Sequence, residues 1–209
     1  MRLDFMISDL FLSLVTKCIV FCLCITSTTL LFSQKDLSTY DSVFDQFPQY
    51  ESTGFVFPVG DNSYHGYYNA NKFDVDNHLG DDWNGKGGGD TDLGDPIYAS
   101  ASGYVFYARD TGIESWGNVI RIVHKHNGKY YETLYAHCDK INIKENTMVP
   151  TGGRIGTIGN ANGQYPAHLH FELRDDVTLG LGRGYSINKR GYLNPTAFIE
   201  ANPYIPKRS

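Results

Sequence analysis

From Phe55 onward the chain alternates short apolar runs with breaks rich in glycine and asparagine, and no stretch carries a long helical period. Residues 103–108, 118–124 and 129–137 have the length and the β-branched and aromatic content of strands. Residues 154–158 and 168–174 follow with the same character, separated by the Gly/Asn-rich segment 159–166. Between the second and third runs stands His126-Asn127-Gly128-Lys129, whose Asn-Gly pair predicts a two-residue type I′ hairpin turn. Strict alternation along 129–137 would put Tyr131, Thr133, Tyr135 and His137 on one face. The tail from Asn194 is expected to add only a short helical turn.

Ahead of this region the pattern changes twice. Residues 10–32 are apolar apart from Lys17 and a few hydroxyls. With Lys17 as positive flank, 18–32 makes a signal-peptide core too short for an ordinary membrane span. The expectation is therefore a cleaved signal over 1–33, with an uncleaved membrane anchor as the alternative. Residues 34–54 are polar and aperiodic and read as an N-terminal arm or linker. A domain over 55–200 and a tail over 201–209 complete the division.

Composition supports the strand-rich picture: 15 Tyr, 12 Phe and 22 Gly favour half-buried strands and tight turns, hence an all-β domain. A net charge of -5 argues against a general affinity for nucleic acid or anionic membrane. Cys18, Cys22 and Cys24 fall in the apolar run, which leaves Cys138 without an intramolecular disulfide partner. A thiol nucleophile there is conceivable, but the histidines offer better chemistry.

His168-Leu169-His170 opens a strand, where residues two apart point the same way, so both imidazoles can converge on one small volume. In His78-Leu79-Gly80-Asp81-Asp82, an imidazole and two candidate carboxylates flank a glycine that permits a tight backbone path. Chemistry alone does not choose between Asp81 and Asp82. His124-Lys125-His126 repeats the HxH spacing, yet it runs into the Asn-Gly turn without a nearby carboxylate and is read as structural. The run Gly85-Lys86-Gly87-Gly88-Gly89 has no Gly-Lys-Ser/Thr ending and is not a phosphate loop. It and 159–166 border the site motifs and could wall a groove.

Taken together, these motifs resemble those of the lysostaphin-type (LytM-like) zinc endopeptidases. The match rests on His78-Leu79-Gly80-Asp81-Asp82 as HxxxD, Leu134-Tyr135-Ala136-His137, and His168-Leu169-His170-Phe171-Glu172 as HxH. Ordered landmarks lie between them: Gly94-Asp95-Pro96-Ile97-Tyr98-Ala99, Gly103-Tyr104-Val105, Trp116-Gly117-Asn118 and Gly153-Arg154-Ile155-Gly156. The resemblance implies an antiparallel β-sheet groove of the duplicated hybrid motif type, with one Zn2+ held by His78, Asp82 and His170. It assigns His137 and His168 as non-ligand catalytic histidines, and leaves Tyr67 or Tyr68 as candidates to assist the oxyanion. Two His and a carboxylate leave a fourth zinc position for water, made acidic enough to react near neutral pH. The implied function is an exported peptidase cutting stem peptides or cross-bridges of peptidoglycan, in the periplasm, cell envelope or outside the cell. The membrane is a partner only if the N-terminal segment is uncleaved. A catalytically inactive LytM-like domain that binds peptidoglycan or activates another wall hydrolase is the alternative. An unrelated HxH metalloprotein would not explain the ordered landmarks.

Overall fold

The computed structural model describes residues 37–207, so the proposed signal segment lies outside the described residues. The chain divides into two units, Met1–Ser42 and Val43–Ser209. Of the first, only 37–42 are described, and they are helical. That helix, α1, runs over 37–46, followed by a single 3-10 turn at Pro48–Tyr50. The polar arm expected here is thus more ordered than its composition suggested. Within the second unit Phe44 is buried against the Tyr130 ring, and Ser52 pairs in parallel with His126. Among the described residues no helix is long and apolar enough to cross a membrane.

The remainder is antiparallel sheet. In chain order the strands are β1 (Tyr67–Asn71), β2 (Asp81–Gly85), β3 (Pro96–Tyr98), β4 (Gly103–Asp110) and β5 (Asn118–His126). They continue as β6 (Lys129–Cys138), β7 (Thr147–Val149), β8 (Arg154–Thr157), β9 (Leu169–Arg174) and β10 (Tyr192–Leu193). One sheet has the order β1-β2-β9-β6-β5-β4-β7, with β10 on β9, and β3 and β8 pair separately. The seven-residue helix α2 (Pro195–Ala201) closes the domain, capped by the Asn194 side chain on Ala197 N–H.

The β5–β6 hairpin turns as its sequence predicts: Asn127 and Gly128 both take positive φ, 50° and 71°, and His126 pairs with Lys129. On β9 the odd residues Leu169, Phe171 and Leu173 join the main core with Tyr135, Ile120 and Ile122. The even residues His170, Glu172 and Arg174 face the other way and are buried as well. This sheet therefore has one apolar face and one charged face, both covered.

The alternation expected for β6 breaks at its end. Ile120 pairs with Tyr135 and Asn118 with Cys138, so Val119 alone stands opposite Ala136 and His137. His137 has φ 62°, and this bulge turns it away from the face shared by Tyr131, Thr133 and Tyr135. Tyr135 and Cys138 pack in the main core, whereas Ala136 clusters with Trp116 and His137 stacks on the Trp116 ring. The bulge delivers His137 to the polar face, where the site lies.

Candidate metal centre

Two strands and a turn bring the site together. β2 pairs with β9 so that Asp82 stands opposite His170. His78 enters from the 3-10 turn Val75–Asn77 and is fixed by an antiparallel bridge to Tyr185. Gly80 between them is required for room: a Cβ there would lie 2.4 Å from the Phe171 carbonyl oxygen. The close approach of β2 to β9 thus depends on the missing side chain.

His78 Nε2 lies 3.0 Å from His170 Nδ1 and 3.2 Å from Asp82 Oδ1, and His170 Nδ1 is 2.8 Å from that same oxygen. Three atoms on a tetrahedral zinc would be about 3.3 Å apart, given zinc–nitrogen bonds of about 2.0–2.1 Å. The donor set and its spacing are therefore close to what such an ion requires. The His78 ring is fully buried and its Nδ1 has no partner.

Asp81 is excluded from this cluster by its own bonds. Its carboxylate accepts from Phe73 N–H, Thr196 N–H and the Thr196 hydroxyl, tying β2 to α2. Burial opposes ionisation of Asp82, yet hydrogen bonds from His170 and His78 hold its carboxyl far below the usual range. Burial likewise opposes charge on His170, but its bonds to Asp82 and Glu172 outweigh that and keep its pKa up at about 9.

His137 and His168 flank the cluster, with ring centroids 4.8 Å apart. His168 Nδ1 is 2.9 Å from the Pro166 carbonyl oxygen, which can only accept, so the proton sits on Nδ1. The free lone pair is then on Nε2, 4.0 Å from Asp82 Oδ1. Burial first, with His170 and His168 beside it, pushes His137 down to about 3, so its ring is neutral at physiological pH.

All five residues singled out in the sequence line one cavity of about 160 Å³. Ser115, Trp116, Tyr165, Arg183, Gly184 and Tyr185 complete its walls. Trp116 stood among the sequence landmarks without a role, and Tyr165 lies in the Gly/Asn-rich segment before the HxH pair. Nothing in the local pattern marked Arg183 or Tyr185. The Tyr185 ring packs 4.9 Å from that of His78.

Neither tyrosine first considered for the oxyanion reaches the cavity. The Tyr67 hydroxyl donates to Asp95, and Tyr68 lines a separate groove with Trp83 and Glu200. His124 and His126 are structural, as expected: their ring nitrogens meet Ser102 O, Thr133 Oγ1 and Ser52 O. No residue of the run Gly85–Gly89 lines the cavity, although Asp90, which follows it, accepts from Ala167 N–H just before His168.

A His–Asp–His cluster, with both rings buried, Asp82 partly so and two further histidines beside it, carries the donor set of a metal site on an antiparallel sheet. The chain belongs to peptidase family M23, whose profile matches residues 84–187. That match contains His137, His168 and His170 and begins just past Asp82, so His78 and Asp82 join the site on geometry.

It is 37% identical over 100 residues to lipoprotein NlpD of Yersinia enterocolitica, covering 48% of this chain and 91% of that protein. Over 81 residues it is 38% identical to the peptidoglycan DD-endopeptidase ShyA of Vibrio cholerae, 39% of this chain and 18% of that one. The murein hydrolase activator NlpD of Escherichia coli is 37% identical over 100 residues, 48% of this chain and 23% of that protein. The chain thus spans less than a quarter of the latter two. The fold matches lysostaphin from Staphylococcus simulans with a TM-score of 0.52 at 21% identity, over 70% of this chain and 54% of that one.

Proposed function

We propose that this protein is an exported zinc metalloendopeptidase that hydrolyses peptide cross-links of peptidoglycan. The observation that carries this reading is the convergence of His78 Nε2, Asp82 Oδ1 and His170 Nδ1 beside the imidazoles of His137 and His168. Zinc bound there would supply Lewis acidity, polarising the scissile carbonyl and making water nucleophilic near neutral pH. His168, with its lone pair on Nε2, accepts the proton of the attacking water and returns it to the leaving amine. His137, held neutral beside it, donates a hydrogen bond to the oxygen that gains charge. Trp116, Tyr165 and Tyr185 flank the extended peptide and limit water around it. Residues 55–200 form the catalytic domain in this proposal, 34–54 lead into it, and 1–33 direct export.

The test combines metal content with bond cleavage. Purified protein is expected to hold one zinc per chain and to release free amines from peptidoglycan, with chelator abolishing release and zinc restoring it. Absence of new amines from several cross-bridge types, with zinc present, would overturn the enzymatic reading. The name of the E. coli relative supports a second reading, an activator of another murein hydrolase. Stimulation of another murein hydrolase by the protein lacking His168 would support it.

A further inference from the structure

Beyond His170 the covered polar face of the sheet carries four charges in a row. His170 Nε2 lies 3.1 Å from Glu172 Oε1. Arg174 donates to Glu172 Oε2 through Nε at 2.8 Å and Nη2 at 2.5 Å, and to Glu132 Oε1 through Nη1 at 3.1 Å. Arg121 grips Glu132 with two bonds of 2.8 and 2.9 Å. Glu132, Glu172 and Arg174 are fully buried. The spare guanidinium donors go to backbone: Arg174 to Gly180 O and Leu181 O, Arg121 to Leu179 O. Two acids and two bases balance, so the row has no net charge.

Burying such a row costs desolvation that apolar packing would avoid, and replacing it with hydrophobic residues often leaves stability unchanged or better. Its placement points to what it holds. Glu172 Oε2 is committed to Arg174, which leaves Oε1 as an acceptor aimed at His170. An acceptor there keeps a proton on Nε2, so Nδ1, which faces Asp82 and His78, is the nitrogen left to give its lone pair to a metal. His78 has no such support, since its Nδ1 is unpartnered.

We propose that Glu172 is a positioning residue for His170, fixing its tautomer and ring angle, and that Arg174 holds Glu172 in place. The Glu132–Arg121 end secures Leu179, and Arg174 itself secures Gly180 and Leu181, ahead of the cavity wall at Arg183 and Tyr185. The proposal rests on the reading of His170 as a metal ligand. Outer partners of ligating histidines typically contribute about 10–100-fold to metal affinity.

The experiment measures zinc dissociation constants by competition with a chromophoric chelator, alongside melting of the metal-free proteins and visible spectra of their cobalt forms. Glu172→Met is expected to weaken zinc binding about 10–100-fold and shift the cobalt bands. Glu172→Gln, which keeps an acceptor without the charge, should fall between it and wild type. The double variant Arg121→Met with Glu132→Gln should melt lower while binding zinc within about threefold of wild type. Folded Glu172 variants that bind zinc like wild type would overturn the proposal. If Glu172→Met fails to fold, Glu172→Gln decides alone. Wild type without zinc would bring down the metal-site reading and this inference together, whereas equal affinities in wild type and variants remove only the inference.

Discussion

His124 shares the HxH spacing of the site pair but is predicted to behave as a buried neutral ring, with a measurable signature in stability. Its side chain has no solvent exposure, with Nδ1 3.0 Å from Ser102 O and Nε2 2.7 Å from Thr133 Oγ1. Ser102 O only accepts, so Nδ1 carries the proton, and Nε2 of the neutral ring faces the Thr133 hydroxyl. Burial pushes its pKa from 6.5 down to about 4, against a smaller opposing effect of the Ser102 bond. Because the folded pKa lies below the unfolded one, the unfolded chain binds more protons between these values. Stability therefore falls as pH drops below about 6.5 and has lost this contribution by about pH 4. At ~1.4 kcal/mol per pH unit the interval corresponds to on the order of 3 kcal/mol. His137 is depressed in the same direction, so the measurement compares wild type with His124→Gln. Urea unfolding of both proteins in chelator, at pH 7, 6, 5 and 4, gives the two curves. The advantage of wild type at pH 7 should shrink by roughly this amount on acidification. Parallel curves would refute the reasoning.

Asp81→Asn replaces an acceptor of three hydrogen bonds by a group that can serve only part of them, and should cost about 1–3 kcal/mol in urea unfolding while zinc stoichiometry is retained; loss of zinc would contradict the separation of Asp81 from the cluster. His168→Ala should keep one zinc by metal analysis and lose about 10²–10⁴-fold in cleavage rate; stoichiometric loss of metal would make His168 a ligand. Burial raises the Cys138 thiol to about 12, so a disulfide reagent should modify it only in denaturant. Rapid labelling of the native protein would show that the β6 end opens readily.

The five candidate site residues were legible because they sit in ordered motifs, and the hairpin turn because Asn-Gly has a single preferred use. The bulge was not. Tyr131, Thr133, Tyr135 and His137 alternate faultlessly on paper, and only the left-handed backbone at His137 moves it to the other face. Nothing in the sequence marked Glu172 and Arg174 as buried, because the segment folded over them, 179–181, carries no strand signal of its own. β1 and β2 were missed because YYNAN and DDWNG are polar for strands; pairing supplies what their composition lacks. In α1, Tyr40 and Phe44 stand four apart, a helical spacing too short to rise above the polar residues around it.

Two segments reach the cavity, one ending at Ser115 and Trp116 and the other at Arg183, Gly184 and Tyr185, and they differ in what they can change. Residues 111–115 close on themselves, through Thr111 Oγ1 to Ile113 O and Gly117 O and Gly112 N–H to Asp110. Residues 179–184 are bound at almost every step, by Arg121, Arg174, Trp116 Nε1 on Gly182 O and Leu79 N–H on Gly184 O. An insertion in the first loop has only local bonds to remake, whereas one in the second reaches back through buried charges to His170. A change in what such a groove accepts is therefore tolerated more readily in the first loop than in the second.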